Sequence, residues 1–328
     1  MKLKELENLP NHPLVGRALG AIRWLDGYSP IPPRFVELAL TYRCNLSCSF
    51  CYQDQSRRTD LPDLSFDAIQ QIERNLSESF RWKPVIYLFG GEATIHPDFA
   101  RTYQLFTDRG YRLMMTTNGA QLRKFADQLG PSRSLQRLVL SVNTLEFERF
   151  RAILDALHER CPRYEVSLSC PVDLPWGAGL TLDDVARELE GSRASSLAFQ
   201  HSQTVFLHDR DYDLDELERQ IDAVRAARYR IPILFFPAIR RGDLRRYYSS
   251  PAFPGVDKKC VLPWFDLFIR PNGDVTPCDE VDRVVGNVFR DRIRTIWNGP
   301  SLRDFRRRIH RDGNSERFCG RCCHRQYY

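Results

Sequence analysis

From Phe35 to about residue 245, apolar strand-like runs alternate with helix-like stretches, and this alternation limits the fold more than any other feature. The strand candidates are 35–41, 84–89, 112–117, 137–142, 165–170, 196–200 and 232–236. Between them, helical periodicity runs from Ser65 to Phe80, Pro97 to Arg109, Ala120 to Leu129, Leu145 to Glu159, Leu182 to Glu190 and Leu214 to Arg228. Repeated strand–helix units imply right-handed crossovers and a parallel sheet buried on both faces, an α/β fold. A barrel and an open doubly wound sheet both satisfy the pattern. In either, chemistry gathers at the C-terminal ends of the strands. Ahead of the first strand, Leu14, Val15, Ala18, Leu19, Ile22 and Leu25 recur at helical spacing, and Ser29-Pro30-Ile31-Pro32-Pro33 breaks the helix. Residues 1–34 read as a helical cover, too short to hold a separate peptide-binding domain.

The loop after the first strand reads Cys44-Asn45-Leu46-Ser47-Cys48-Ser49-Phe50-Cys51, a C-x3-C-x2-C run. Three thiols on one short loop can converge on a soft metal centre. Four thiolates would close an iron–sulfur cube; three leave one iron open to a small molecule. Zinc, or simply reduced thiols, is the alternative for the loop taken alone. The second strand ends in Gly90-Gly91-Glu92, where absent Cβ atoms let the backbone approach a ligand. The third runs into Thr116-Thr117-Asn118-Gly119, and the fourth ends in Ser141-Val142-Asn143. Ser167 and Ser169 alternate on the fifth and therefore share a face. Gln200 and His201 close the sixth. Each also has a plainer reading: glycine pairs and Asn-Gly make ordinary turns, and a lone serine or histidine is often structural.

After residue 250 the pattern changes. Cys260 is followed by Trp264-Phe265-Asp266-Leu267-Phe268-Ile269, then Pro271-Asn272-Gly273-Asp274 and Val275-Thr276-Pro277-Cys278. Two short strands joined through Asn-Gly form a β-hairpin. A helix near Ile293-Arg294-Thr295-Ile296-Trp297 and another through Arg308 lead to Cys319-Gly320-Arg321-Cys322-Cys323-His324. A tetrahedral zinc would use the same kind of thiol quartet.

The cysteine loop, C-x3-C-x-aromatic-C with Phe50 as the aromatic, resembles the signature loop of the radical S-adenosylmethionine (SAM) enzymes. The resemblance implies a partial (β/α)6 TIM barrel over residues 35–245. It also implies a [4Fe–4S] cluster on Cys44, Cys48 and Cys51, whose open iron chelates the amino and carboxylate groups of SAM. One electron then splits SAM into methionine and a 5′-deoxyadenosyl radical. Gly90, Gly91 and Glu92 resemble the family's GGE motif at the SAM amino group, although Ala93 stands where proline is usual. Thr117 and Asn118 resemble the segment beside the adenosyl group. Ser141 and Asn143 resemble a Ser-x-Asp pair with the acid replaced by an amide. Phe50, Ser167, Ser169, Gln200 and His201 complete the set expected to face SAM or substrate. Residues 246–328 resemble the SPASM/twitch appendages, in the shorter single-cluster form. Their implied ligands for a second [4Fe–4S] cluster are Cys260, Cys278, Cys319 and Cys322, with Cys323 and His324 competing for the last place.

Such a radical removes a hydrogen atom from an unactivated carbon while the protein positions the substrate. Loss of a further electron gives dehydrogenation, with the fully ligated auxiliary cluster as acceptor. Return of a hydrogen atom from a thiol gives epimerisation. Cys161, Cys170 and Cys323 belong to neither ligand set, and Cys170 is expected to face the lumen. The expected substrate is a small natural product, sugar- or aminoglycoside-like, ahead of a peptide that is epimerised or crosslinked. A non-catalytic zinc-binding protein is the reading from another class, and the successive strand-end motifs speak against it.

Composition adds exclusions. A net charge of +6 over 328 residues gives little support for a nucleic-acid partner. No secretory signal is visible at the start, and no apolar run approaches the roughly 20 residues that span a bilayer, so a cytoplasmic location away from the membrane is expected. Ten cysteines in a reducing compartment indicate metal ligation or catalysis rather than disulfides. The tracts Arg240-Arg241…Arg245-Arg246 and Arg303…Arg311 are solvated faces or docking sites for an acidic flavodoxin or ferredoxin that supplies the electron.

Overall fold

The computed structural model describes residues 26–48, 50–51, 61–129, 134–160, 164–175, 179–201, 213–249, 260–312 and 319. Strand and helix alternate as β1 (Phe35–Thr41), α1 (Phe66–Ser79), β2 (Val85–Gly90), α2 (Phe99–Asp108), β3 (Arg112–Thr117), α3 (Leu122–Leu129) and β4 (Leu135–Ser141). They continue through α4 (Phe147–Arg160), β5 (Val166–Pro171), α5 (Leu182–Glu190), β6 (Ser196–Gln200), α6 (Leu214–Ala226), β7 (Ile233–Phe236) and α7 (Leu244–Ser249). Local signals set the helix starts. Ser65 caps α1, Asp213 caps α6, and Thr181 with Asp184 forms a capping box on α5.

Strands β1 to β7 are parallel and lie side by side in chain order. A doubly wound sheet reverses its order part-way; this one does not. Consecutive right-handed crossovers put every helix on the same face, so the structure is the partial barrel, with a lumen on the other face. Alternation along each strand sorts the side chains. Val36, Leu38, Leu40, Ile86, Leu88, Leu138 and Leu140 join α1 to α6 in one continuous core. Glu37, Ala39, Tyr87, Phe89, Thr116, Ser141 and Ser167 take the alternate positions and line the lumen.

The C-terminal part builds onto this sheet. After a 3-10 turn at Leu262–Trp264 come β8 (Asp266–Ile269), β9 (Asp274–Thr276), β10 (Gly286–Asn287), α8 (Ile293–Trp297) and α9 (Pro300–Asp312). The expected hairpin is β8–β9, but β8 also pairs in parallel with the free edge of β1, Phe35 opposite Asp266. Helix α9 ties down residues 26–31. Arg306, fully buried, donates to the carbonyls of Pro263 (2.8 Å) and Gly27 (3.1 Å), while Trp297 Nε1 donates to the Ile31 carbonyl at 2.7 Å. The helix expected over residues 14–25, and Cys161, Cys322, Cys323 and His324, lie outside the described residues.

Candidate active site

Strand β1 delivers the cysteine loop at the C-terminal end of the barrel, and polar struts fix its base. Thr41 Oγ1 donates to Asp63 (2.5 Å) and accepts from the Arg43 amide (2.9 Å), while the Arg43 guanidinium clasps the same carboxylate. Within the loop the Cys51 amide donates to the Cys48 carbonyl at 3.1 Å, and Cys44, Cys48, Phe50 and Cys51 are all partly buried. The glycines at the end of β2, Gly90 and Gly91, press against this loop rather than against open space. A Cβ on Gly90 would stand 2.2 Å from the Thr41 carbonyl oxygen, and one on Gly91 2.3 Å from that of Arg43. Their amide neighbours use the closeness: Gly91 donates to Thr41 and Glu92 to Arg43, each at 2.9 Å.

Glu92, expected at the SAM amino group, turns inward instead. It is 2% exposed; Oε1 accepts from the Thr94 amide (3.1 Å), the Thr94 hydroxyl (2.5 Å) and the Thr117 hydroxyl (2.7 Å), and Oε2 from the Asn118 amide (2.7 Å). The carboxylate is a strut between the β2 and β3 loops. Asn118 carries the connection onward, its Nδ2 donating to Asn45 Oδ1 at 2.8 Å. The GGE and TNG segments and the cysteine loop thus form one hydrogen-bonded unit.

Ser141, Asn143, Ser167, Ser169 and Gln200 occupy lumen-facing positions, and Ser196 Oγ bonds Ser167 Oγ at 3.0 Å. Both amide atoms of Asn143 are shielded from solvent and have no protein partner among the described residues, an arrangement that suits a bound polar molecule. Two expectations fail on strand alternation. Cys170 follows Ser169 and so faces the helix layer; it is 0% exposed, and burial alone drives its thiol pKa far up. His201 follows Gln200 and is likewise 3% exposed, among Phe235, Tyr247 and Tyr248, with Nδ1 2.8 Å from the Tyr248 hydroxyl. Burial, and then the Arg225 charge, hold its pKa down to about 3.

The lumen also holds groups that the motifs did not point to. Glu37 on β1 hydrogen-bonds Asp266 on β8. Enclosure first, and then the charges of Asp266, Asp279 and Glu280, push the Glu37 carboxyl well above the usual range. Nearby, the Tyr87 hydroxyl meets Thr116 Oγ1 at 2.5 Å, and enclosure pushes the phenol up to about 12. A signal was present: Glu37 interrupts Phe35–Leu40, and Asp266 interrupts Trp264–Ile269, as single acids in otherwise apolar runs.

Below the acids lies the second thiol set. Cys260, Cys278 and Cys319 pack around Trp264, Val281, Phe305 and Ile309. The Phe265 carbonyl accepts from the Arg34 and Phe35 amides, so this set sits at the N-terminal end of β1. The first set follows that strand's other end, about 20 Å away at the usual strand rise. The radical SAM superfamily profile matches residues 38–170, and that of SPASM, an iron–sulfur cluster-binding domain, matches residues 260–323. The chain is a radical SAM enzyme with a SPASM domain.

Among its relatives, the AdoMet-dependent heme synthase of Methanosarcina barkeri is 23% identical over 297 residues, 82% of this chain and 83% of that protein. The antilisterial bacteriocin subtilosin biosynthesis protein AlbA of Bacillus subtilis is 21% identical over 290 residues, 82% of this chain and 60% of that protein. Streptococcus suis SuiB, in its crystal structure bound to the precursor peptide SuiA, superposes with a TM-score of 0.61 at 16% identity, over 89% of this chain and 70% of that one; this likeness concerns the fold. Radical SAM enzymes of this kind use [4Fe–4S] clusters and SAM. The residues fit both groups: three thiols on one loop suit a cluster with an open iron, and the shielded Asn143 amide at the C-terminal end of β4 suits SAM. No three His, Cys, Asp or Glu side chains among the described residues are already gathered into a metal shell, and metal binding itself would draw the thiols in. Among the described residues, no helix is long and apolar enough to cross a membrane.

Proposed function

We propose that this radical SAM enzyme dehydrogenates a polar substrate held in the barrel lumen. One observation carries the reading: the lumen separates the two thiol sets, and no thiol outside those sets faces it among the described residues, because Cys170 points away. Among the described residues, a substrate radical formed there meets no such sulfur hydrogen donor, which favours oxidation over epimerisation. Cys44, Cys48 and Cys51 would hold the cluster that binds SAM, and Cys260, Cys278, Cys319 and Cys322 would hold the second. Bound there, these groups supply a 5′-deoxyadenosyl radical that abstracts hydrogen, and a one-electron sink.

The chain's own residues do the rest. Glu92, Thr117 and Asn118 hold the SAM-binding loops in register with the cysteine loop. Asn143, Ser141 and Ser169 present amide and hydroxyl groups to the bound molecule. Glu37, Asp266, Tyr87 and Thr116 line the floor with carboxyl and hydroxyl groups, a surface complementary to a hydroxylated or amino-bearing molecule such as a sugar derivative. The similarity to AlbA, and the fold shared with SuiB, favour a second reading in which the substrate is a peptide.

Anaerobic reconstitution tests the proposal. About eight irons per chain and release of 5′-deoxyadenosine are expected; a colourless, zinc-containing protein would defeat it. With candidate amino sugars and peptides supplied in heavy water, oxidation gives a product lighter by two hydrogens and free of solvent deuterium. Deuterium at the reacting carbon would refute dehydrogenation.

A further inference from the structure

Most arginines of the tracts expected to dock an electron carrier have a carboxylate partner within the chain, although Asp26 and Asp304 each serve more than one. Arg241 pairs with Asp222 (3.0 Å), Arg245 with Asp215, Arg303 and Arg307 with Asp26 (2.9 and 3.1 Å), Arg308 with Asp304 (3.3 Å) and Arg311 with Asp312 (2.8 Å). Arg306 is buried. Cationic charge with fewer carboxylate partners lies on a different surface, the turn Arg81-Trp82-Lys83 between α1 and β2. All three residues are exposed, Trp82 at 74%.

Neighbouring elements enlarge this patch. Lys83 Nζ donates to the Arg109 carbonyl, which places Arg109 beside the turn. The start of α8 is stitched to the end of α1: Asn75 Oδ1 accepts from the Ile293 amide (2.9 Å) and Ser79 Oγ from the Arg294 amide (3.3 Å). Arg292 and Arg294 therefore lie on an element that flanks the end of α1, as Arg81, Lys83 and Arg109 lie at the turn that follows it. Two carboxylates answer them. Glu78 is taken by Arg292 at 3.3 Å, and Glu73, buried, lies 3.8 Å from Arg109. Among the described residues, no carboxylate pairs with Arg81, Lys83 or Arg294.

An exposed tryptophan rimmed by cations has the composition of a protein-docking hot spot, and the sign of the rim selects an acidic partner. Position narrows the partner further. The turn enters β2 at Val85, which pairs with Phe35, and Phe35 pairs with Asp266. β2 and β8 are thus two strand spacings apart, about 10 Å, and the patch shares a barrel end with Cys260 and Cys278.

We propose that this surface docks an acidic one-electron carrier protein that exchanges electrons with the centre held by the C-terminal cysteines. The inference rests on the dehydrogenase reading above, in which SAM cleavage takes in one electron and oxidation of the substrate radical releases one electron and one proton. Between carrier and enzyme a single electron passes; no bond forms or breaks there.

The probe is an acidic flavodoxin, its binding to the purified enzyme measured by interferometry at low and high salt. Trp82→Ala and the double reversal Arg81→Glu with Lys83→Glu should each weaken binding by about tenfold or more, and the reversal should also flatten the salt dependence. In the reconstituted enzyme, electron transfer from flavodoxin hydroquinone to the clusters, followed by flavin absorbance, should slow in parallel while reduction of the clusters by dithionite stays at wild-type rate. Unchanged flavodoxin affinity in both variants overturns the proposal, as does an equal loss under dithionite. So does a patch that binds RNA or anionic vesicles while flavodoxin binding ignores both changes. Absence of SAM cleavage with dithionite in the wild type would sink the enzymatic reading, and the binding arm would still judge the surface.

Discussion

The two thiol sets are assembled by opposite means. At the C-terminal end of β1, three cysteines fall within eight residues, and hydrogen bonds through Thr41, Glu92 and Asn118 hold their loop. At the other end, Cys260, Cys278 and Cys319 come from distant segments and meet on a small apolar cluster of Trp264, Val281, Phe305 and Ile309. The first site is local and polar, so its integrity depends on satisfied hydrogen bonds. The second is non-local and apolar, so it depends on packing. Damage to one should leave the other standing.

Cys48→Ala should have the largest effect: SAM cleavage at background and iron reduced from about eight to about four per chain. The thermal midpoint of the metal-free protein should hardly move, since Cys48 is only partly buried. Phe305→Ala tests the other end. Phe305 is 1% exposed, so truncation should cost about 3–5 kcal/mol and remove a similar amount of iron. SAM binding to the reconstituted protein should persist. Loss of SAM binding in that variant would break the contrast by showing the two ends to be one cooperative unit.

Glu92→Ala sharpens the polar half. It leaves the buried Thr117 hydroxyl and Asn118 amide without their acceptor, at about 1–3 kcal/mol for each buried donor left unpaired. Denaturant midpoints should fall, and SAM affinity should fall with them because the β2, β3 and cysteine loops lose their common strut. Unchanged stability with lost SAM affinity would return Glu92 to direct ligand contact.

Much of this was legible in the chain. Every strand of the parallel sheet lies within two residues of its expected limits, because apolar runs bounded by turn residues are local signals. The order of the strands was not legible, nor was the seating of β8 on β1, since pairing partners depend on contacts far apart in sequence. The glycines at the end of β2 were expected to make room for a ligand and instead make room for the backbone of residues 41–43; a glycine records crowding without naming the neighbour. Cys170 is different. Its face was readable from the period of two that puts Ser169 on the lumen, and Glu37 and Asp266 were readable as lone acids in apolar strands.

A smaller effect concerns acid. The His201 pKa is held at about 3 in the fold, against an ordinary value near 6.5, so the unfolded chain takes up a proton across that window and the folded chain does not. The contribution is therefore complete above pH 6.5 and is lost as pH falls toward 3. Between pH 6.5 and 5 the urea midpoint should drop by the equivalent of about 2 kcal/mol from this group, and His201→Phe should flatten that slope. A slope that survives the substitution would assign the acid sensitivity elsewhere, the enclosed carboxyls of the lumen first.

Cys170→Ala should do least, and for that reason it separates the helix face of β5 from its lumen face most cleanly. Removing one sulfur from the core leaves a small void, worth about 1 kcal/mol of stability. Turnover and the isotope content of product formed in heavy water should match the wild type, because the thiol lies behind the strand from any substrate in the lumen. Ser169→Val, one residue earlier and on the other face, should instead change SAM or substrate affinity at similar stability. If the cysteine variant alters product stereochemistry while the serine variant is silent, the assignment of faces along β5 is reversed, and hydrogen return from sulfur again becomes the chemistry to explain.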